Sequence, residues 1–296
     1  MQARHFVQIV GLSAIWGASF PLLRIAVPAF GPVVLAALRC ALAALVLALL
    51  MRALRERWPP RRAWPSLAVL GAVTLISPFV LYNFAALTLP AGYPAVFNAT
   101  APLFGVLAGA LLREEQLTAG KLLGCALGFA GVTLLVQLGP VSVTPEVLLA
   151  ALACAGAAAS YGVGAIFMRR AALTWHPLPA SAAVHIGATT LLALPASTQI
   201  EPVSPTLPAV ATLLVLGLFT SGLMYWVSMR LMREISASAS TASAFLIPLF
   251  GVTWGAVFLG EPVTLGMLPG VALILAATSL ITGFRPWQRD APGVGK

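Results

Sequence analysis

The sequence is poor in charge, and poorest in negative charge. Of its 296 residues only 8% are Asp, Glu, Lys or Arg, and the acidic ones number eight. A soluble domain carries about 25% charged residues, so this chain has too few to cover a water-facing surface. A soluble globular protein is therefore excluded. The hydrophobic share of 60% and the mean hydropathy of +0.97 place the chain in a membrane instead.

Cysteine and the usual cofactor motifs are also scarce. The three cysteines, Cys40, Cys125 and Cys154, lie in apolar runs, which predicts packing residues rather than disulfides or metal ligands. The sequence has no Gly-Lys-Ser/Thr phosphate loop, so ATP-driven transport is excluded. An intramembrane enzyme is disfavoured because the hydrolase and metalloprotease motifs are missing, and a channel because no repeated filter residues occur. We expect no cofactor, no metal and no catalytic residue.

Ten apolar runs of about 20 residues, the length that crosses a bilayer as a helix, fill most of the chain. None shows the two-residue alternation of a β-barrel strand. The predicted fold is therefore all-α, a polytopic membrane protein with ten transmembrane helices. The predicted helices lie at about 7–27, 33–51, 66–88, 92–113, 118–138, 147–168, 178–197, 207–230, 235–259 and 264–284.

Positive charge is divided unevenly between the two sides of this predicted bundle. All but two of the 17 Lys and Arg fall on one side, and the opposite loops hold only Glu146, Glu201 and Glu261. Because Lys and Arg stay in the cytoplasm, both termini are predicted to be cytoplasmic. The net charge of +9 then serves topology and anionic lipid, and no nucleic-acid partner is expected. The exceptions are Arg24, where snorkelling is favoured, and Arg39, which either snorkels or attracts a substrate carboxylate.

The second half of the chain repeats the first at an offset of 146 residues. Residues 102–106 and 248–252 both read Pro-Leu-Phe-Gly-Val. The register also joins Glu115 with Glu261, Thr74 with Thr220 and, at an offset of 145, Trp16-Gly17 with Tyr161-Gly162. The predicted units are residues 1–140 and 141–286, followed by a cytoplasmic tail at 287–296.

Each unit contains five helices, and because five is odd, the second unit is inverted in the bilayer. A 5+5 inverted-topology repeat is typical of secondary transporters, in which two similar halves rock around a midplane site. The alternative is that the duplication only builds a stable bundle.

The pattern resembles the EamA branch of the drug/metabolite transporter superfamily. The resemblance is carried by Trp16-Gly17-Ala18-Ser19-Phe20, by Leu38-Arg39, and by the twice-used Pro-x-x-Gly…Glu-x-x-Thr-x-x-x-x-x-Gly pattern. It implies an exporter of small metabolites in a bacterial inner membrane. Within that family the chain is most similar to exporters of amino acids, aromatic ones in particular. Export of another metabolite or a drug is the alternative, and the oligomeric state is left open, a monomer included.

Prolines and polar or aromatic residues near mid-depth are the predicted functional positions. Hinges are predicted at Pro78, Pro102 and Pro248, since a proline inside a helix removes a backbone donor; a fixed kink is the alternative. Because Pro102 and Pro248 are repeat mates, they are predicted to bend the two halves at matching depths. The predicted substrate-binding residues are Trp16, Tyr82, Asn98, Tyr161, His185, Tyr225 and Ser243. Trp and Tyr suit an apolar or aromatic substrate, although ordinary packing between helices is the competing explanation.

The energy source is predicted from the acidic residues. No Asp or Glu lies deep in any predicted helix, whereas proton-driven carriers commonly use a buried carboxylate. The protein is therefore expected to be a facilitator, unless His185 couples transport to protons.

Overall fold

The computed structural model describes residues 2–89, 92–136, 142, 144–198, 203–259 and 263–283. Within these ranges every regular element is a helix, and ten helices are long and apolar enough to cross a membrane, which confirms the predicted fold class. Spans 1 to 5 are Ala3–Phe30, Pro32–Ala53, Arg61–Ala85, Tyr93–Leu111 and Ala119–Val136. Spans 6 to 10 are Pro145–Thr174, Pro177–Ser197, Leu207–Leu231, Ala237–Trp254 and Leu265–Thr282. The predicted unit boundaries at 140 and 286, the tail, Glu201 and Glu261 lie outside the described residues.

Three spans are interrupted near the middle of the bundle. Span 1 consists of the helices Ala3–Gly17 and Ser19–Phe30, which meet at Ala18. Span 4 is formed by the helices Gly92–Asn98 and Ala101–Leu111, the first of which begins one residue before the span. Span 9 is formed by Ala237–Thr241 and Ser243–Leu259, the second of which continues five residues beyond the span. Such breaks are tolerated in a membrane where the freed backbone groups face protein or a wet cavity.

Two further spans contain a π-helical segment at positions related by the repeat. The segment in span 3 is Ala72–Ile76, and the one in span 8 is Val215–Leu223, which contains residues 218–222, the positions 146 further along. In span 3 the helix Ser77–Ala85, with Pro78 in its first turn, follows at once. Span 8 forms its π-helical segment without a proline. Pro78 alone therefore does not explain the π-helical turns, which occur at equivalent positions of both halves.

The prolines of spans 4 and 9 lie at mid-span, but the bends do not match as the sequence predicted. Pro102 is the second residue of the helix Ala101–Leu111, where its missing N–H costs no helical hydrogen bond. Pro248 lies inside the helix Ser243–Leu259, six residues beyond the break at Ala242. The two halves therefore bend at different positions relative to their prolines. The hinge role of Pro78, Pro102 and Pro248 stays a prediction.

Packing between the two halves follows the same repeat. Gly17 of span 1 lies against Ile247 and Phe250 of span 9, and its mate Gly162 of span 6 lies against Ala101 and Phe104 of span 4. A Cβ on Gly162 would stand 2.5 Å from the Ala101 carbonyl oxygen, so only glycine permits this approach.

A second pair of related contacts joins span 3 to span 7 and span 8 to span 2. Gly71 of span 3 packs on Ala188 of span 7, and Gly217 of span 8 packs on Leu42 of span 2, the residue 146 positions before Ala188. Spans 5 and 10 pack on each other through Gly131 and Gly270. Each half thus builds its contacts with the other half, and the central space between them is walled by both.

Candidate substrate cavity

A cavity of about 180 Å³ lies between the two halves. A buried water needs a cavity of at least about 10–15 Å³, so the space is large enough for several waters or one small molecule. Tyr161 and Thr220, which both line it, lie within two residues of the midpoints of spans 6 and 8. The cavity is therefore at mid-depth in the membrane.

Aromatic rings form one wall of the cavity. The Tyr82 ring meets Phe20 edge-on, with centroids 6.0 Å apart, and stacks on Tyr161 at 6.1 Å. The Tyr82 hydroxyl donates a hydrogen bond to the Asn98 Oδ1 at 3.2 Å, which holds the ring in place. The Trp16 indole completes the wall. Such a wall offers apolar area together with a few polar tips.

The π-helical segments supply polar groups to the same space. The Trp16 Nε1 donates to the Thr220 carbonyl oxygen at 3.0 Å, from span 1 to span 8. The Thr74 Oγ1 of span 3 and the Tyr225 hydroxyl of span 8 are hydrogen-bonded at 3.0 Å. Thr74 and Thr220 are repeat mates, so each half presents one threonine to the cavity from its π-helical turn.

The structure brings together six of the seven predicted binding residues. Trp16, Tyr82, Asn98, Tyr161, Tyr225 and Ser243 all line the cavity, as does Pro78. His185 does not line it: its ring lies behind Tyr225, 4.8 Å away edge-on, and is fully buried. The His185 Nδ1 donates to the Ser181 carbonyl oxygen at 2.8 Å, and its Nε2 has no partner among the described residues. Binding by these seven residues stays a prediction.

Arg39 is the principal cavity residue that the sequence left undecided. Its side chain is buried, with 5% of the residue exposed, so it does not snorkel. Arg24, by contrast, is exposed, which is consistent with the snorkelling that the sequence favoured for it. The Arg39 guanidinium lies 3.9 Å above the Phe79 ring, and its Nη2 donates to the Ser221 Oγ at 3.1 Å.

Other lining residues were missed outright. They include Phe79, Asn83, Ser221 and Met168. Nothing in the sequence marks them, because these spans are apolar nearly all round and no face stands out. For Thr74 and Thr220 a signal did exist, since the repeat register already paired them.

Polar contacts join the halves at the side of the bundle that carries the positive charge, which we call the basic side. Arg170 of span 6 donates to the Glu114 Oε1 at 2.7 Å, and Arg4 of span 1 to the Glu234 Oε2 at 2.8 Å. Glu115 accepts from the Ser238 backbone N–H at 3.1 Å, at the start of span 9. Among the described residues, every ion pair lies on this side.

Glu115 is the most buried acid of this cluster, and it predicts an acid-sensitive contact. Burial raises the pKa of its carboxyl, but hydrogen bonds from Lys121 and Ser238 outweigh burial and hold the pKa below its ordinary value. Because the pKa is lower in the folded state, the ionised carboxylate stabilises that state fully above about pH 4.3, the ordinary pKa of a glutamate. This stabilisation is lost as the pH falls through the lowered pKa of the folded state.

Replacing Glu115 with Gln is expected to destabilise the protein by about 1–2 kcal/mol at pH 7, because Lys121 loses its ion pair. The measurement is thermal unfolding of the purified protein in detergent between pH 7 and pH 3.5. The deficit should shrink toward the acid end, as the pH falls toward the lowered pKa of the wild-type carboxyl. Lys121→Gln removes the other partner of the same ion pair and should show a deficit with the same pH dependence. A deficit that does not change with pH would contradict the assignment.

Comparison with known proteins bears on what this cavity serves. A sequence model of the EamA-like transporter family matches residues 6–137 and, a second time, residues 148–283. The chain belongs to the EamA-like transporter family. The two matches coincide with the two halves of the bundle, and they confirm the resemblance carried by residues 16–20 and by the repeated Pro-x-x-Gly pattern. The protein is a multi-pass inner-membrane transporter of this family.

Individual relatives are distant but match along nearly their whole length. An uncharacterized transporter of Bacillus subtilis, YvbV, is 26% identical over 98% of this chain and 95% of its own. A "probable terminal-alkyne amino-acid exporter" of Streptantibioticus cattleyicolor is 28% identical over 90% of this chain and 89% of its own. A chain of known crystal structure superposes with a TM-score of 0.78 over 95% of this chain and 97% of that one. Its identity of 20% shows a shared fold and no more.

Proposed function

We propose that this family member exports amino acids, aromatic and other neutral ones, by alternating access at the mid-depth cavity. The observation that carries the proposal is the aromatic wall of Phe20, Tyr82 and Tyr161 in a space shared by both halves. A wall of stacked rings offers favourable contact area to an apolar or aromatic side chain. The volume suits one molecule of that size. The amino-acid exporter among the relatives supports the same substrate class.

The polar contacts on the basic side support a direction for the conformational change. If the basic side is cytoplasmic, as the positive-inside rule predicts for this chain, both termini are cytoplasmic and Glu114, Glu115 and Glu234 close the cytoplasmic end. Loading from the cytoplasm then requires these contacts to separate while the contacts at the opposite end form.

We further propose that the substrate gradient alone drives transport and that no covalent bond changes. Within the described residues, the only carboxylate inside a span is Glu146, which stands exposed in the first turn of span 6. A buried carboxylate relay of the kind that couples protons is therefore not supported. His185 is the histidine near mid-depth that could replace such a relay, and its Nδ1 already donates to the Ser181 carbonyl oxygen.

Counterflow in proteoliposomes tests this function. Vesicles preloaded with unlabelled phenylalanine should accumulate external labelled phenylalanine transiently and saturably, and neutral aliphatic amino acids should compete. An imposed pH gradient without preloaded substrate should produce no uphill accumulation. Uphill movement on the pH gradient would refute the facilitator, and uptake of nucleosides, sugars or drugs in preference to every amino acid would refute the substrate class.

A further inference from the structure

Arg39 carries a charge in a place where a charge is costly. It is the eighth residue of span 2, about 10 Å from the end of the helix, and its residue surface is only 5% exposed. Buried ionised groups in a membrane are normally paired with an opposite charge or serve a functional site. The partners of Arg39 therefore decide which of these applies.

The protein partners of Arg39 are neutral. Its Nε and Nη2 both donate to the Ser221 Oγ, at 3.3 and 3.1 Å, and its guanidinium lies over the Phe79 ring. Within the part of the chain that the structure describes, no carboxylate forms an ion pair with it. A hydroxyl and a ring face lessen the cost of burial but do not neutralise the charge.

Arg39 lines the cavity, and its bonds to Ser221 use only some of its N–H donors. A guanidinium has five N–H donors, and the two bonds to Ser221 use one on Nε and one on Nη2. The remaining three, two of them on Nη1, make no hydrogen bond to the described part of the chain and are available to a ligand in the space that Arg39 borders. Parallel N–H donors match the two oxygens of a carboxylate, which is the geometry of the strongest arginine contacts.

We propose that Arg39 binds the carboxylate of the transported molecule. This assignment rests on the proposed function, and it narrows the substrates to carboxylates and zwitterions. Tyr82 and Tyr161 border the same cavity and receive the apolar side chain. Amines without a carboxylate find no counter-charge there and are repelled by the guanidinium.

The repeat provides an equivalent position with which Arg39 can be compared. The residue 146 positions after Arg39 is His185, and the one 146 after Phe79 is Tyr225, so both halves place a basic side chain against an aromatic ring. The His185 ring is sealed behind Tyr225, whereas Arg39 faces the cavity. Of the two equivalent positions, the one that lines the cavity carries an arginine, which is always charged.

A ligand series tests the assignment without any mutation. In wild-type proteoliposomes, inhibition of labelled phenylalanine counterflow is measured with phenylalanine, 3-phenylpropionate and 2-phenylethylamine. The first two carry a carboxylate and the third does not. We expect 2-phenylethylamine to inhibit at least 10-fold more weakly than phenylalanine, the effect of losing a charge-assisted pair. Equal inhibition by the amine would overturn the assignment while leaving amino-acid transport standing.

Variants then attribute the selectivity to Arg39. Arg39→Gln should weaken the inhibition by phenylalanine about 10- to 100-fold and should not weaken the inhibition by 2-phenylethylamine. A merely structural role of Arg39 would not produce this change of selectivity. Arg39→Lys, which keeps the charge, should restore part of the preference for phenylalanine over 2-phenylethylamine. Arg24→Gln, an exposed arginine in span 1, is the matched control and should behave as wild type. An Arg39→Gln protein that is monodisperse and binds phenylalanine within 3-fold of wild type would overturn the proposal.

Failure of the proposed function gives a different result. The direct readout for this case is the binding of labelled 3-phenylpropionate to the purified protein. If no amino acid is transported, yet this ligand binds wild type and not Arg39→Gln, the carboxylate site stands and the amino-acid assignment falls. If it binds both proteins equally, the carboxylate site falls as well.

Discussion

Replacing Gly162 with alanine is expected to abolish transport and to remove most of the folded protein. The added Cβ would stand 2.5 Å from the Ala101 carbonyl oxygen and 2.7 Å from the Gly105 backbone nitrogen. Both are backbone atoms, so no side chain can turn away, and spans 4 and 6 must separate. We expect the free energy of unfolding to fall by about 3 kcal/mol, the upper end of the range for overpacked cores. The measurements are the monodisperse yield in detergent and the counterflow rate.

Gly120→Ala is the matched control for this substitution. Gly120 is the second residue of span 5, and a Cβ there would meet no atom within 4 Å. The same chemical change should therefore leave yield and rate at wild-type values. Should Gly162→Ala be purified in normal yield with a normal rate, the close contact of spans 4 and 6 would not exist in the membrane.

Replacing Tyr161 with alanine is expected to reduce the transport efficiency for phenylalanine by about 100-fold. The ring stacks on Tyr82 and borders the cavity, so its removal takes away a wall on which the substrate side chain would rest. Losing that buried aromatic contact corresponds to about 3 kcal/mol. Initial rates of counterflow over a range of substrate concentrations measure the effect.

Two further variants separate this effect from a loss of folding. Tyr161→Phe should keep most of the efficiency, because the stack is retained and the Tyr161 hydroxyl makes no hydrogen bond to the described part of the chain. Phe129→Ala removes a ring that is 43% exposed on the outside of span 5 and should leave transport unchanged. If Phe129→Ala and Tyr161→Ala lowered the rate equally, the aromatic wall would have no special role.

The candidate site was only partly visible in the sequence. Trp16 and Tyr161 stood out because the repeat pairs them, and Tyr82, Asn98 and Tyr225 because they are polar or aromatic near mid-depth. His185 satisfies the same criteria, yet the structure seals it behind a ring. Depth in a span follows from counting residues, whereas the direction of a side chain depends on which neighbours cover it.

The sequence by itself determined the ten spans, the duplication, and the inversion of the second half. Bilayer thickness sets the length of an apolar run, and an odd number of crossings reverses the next copy, so no contact between helices is needed for these conclusions. Only the tertiary structure decided that Arg39 faces the cavity, that Pro102 lies in the first turn of a helix, and that the breaks in spans 4 and 9 lie at different distances from their prolines. Those features depend on contacts between residues far apart in the chain. In helices that are apolar nearly all round, local pattern carries no record of such contacts.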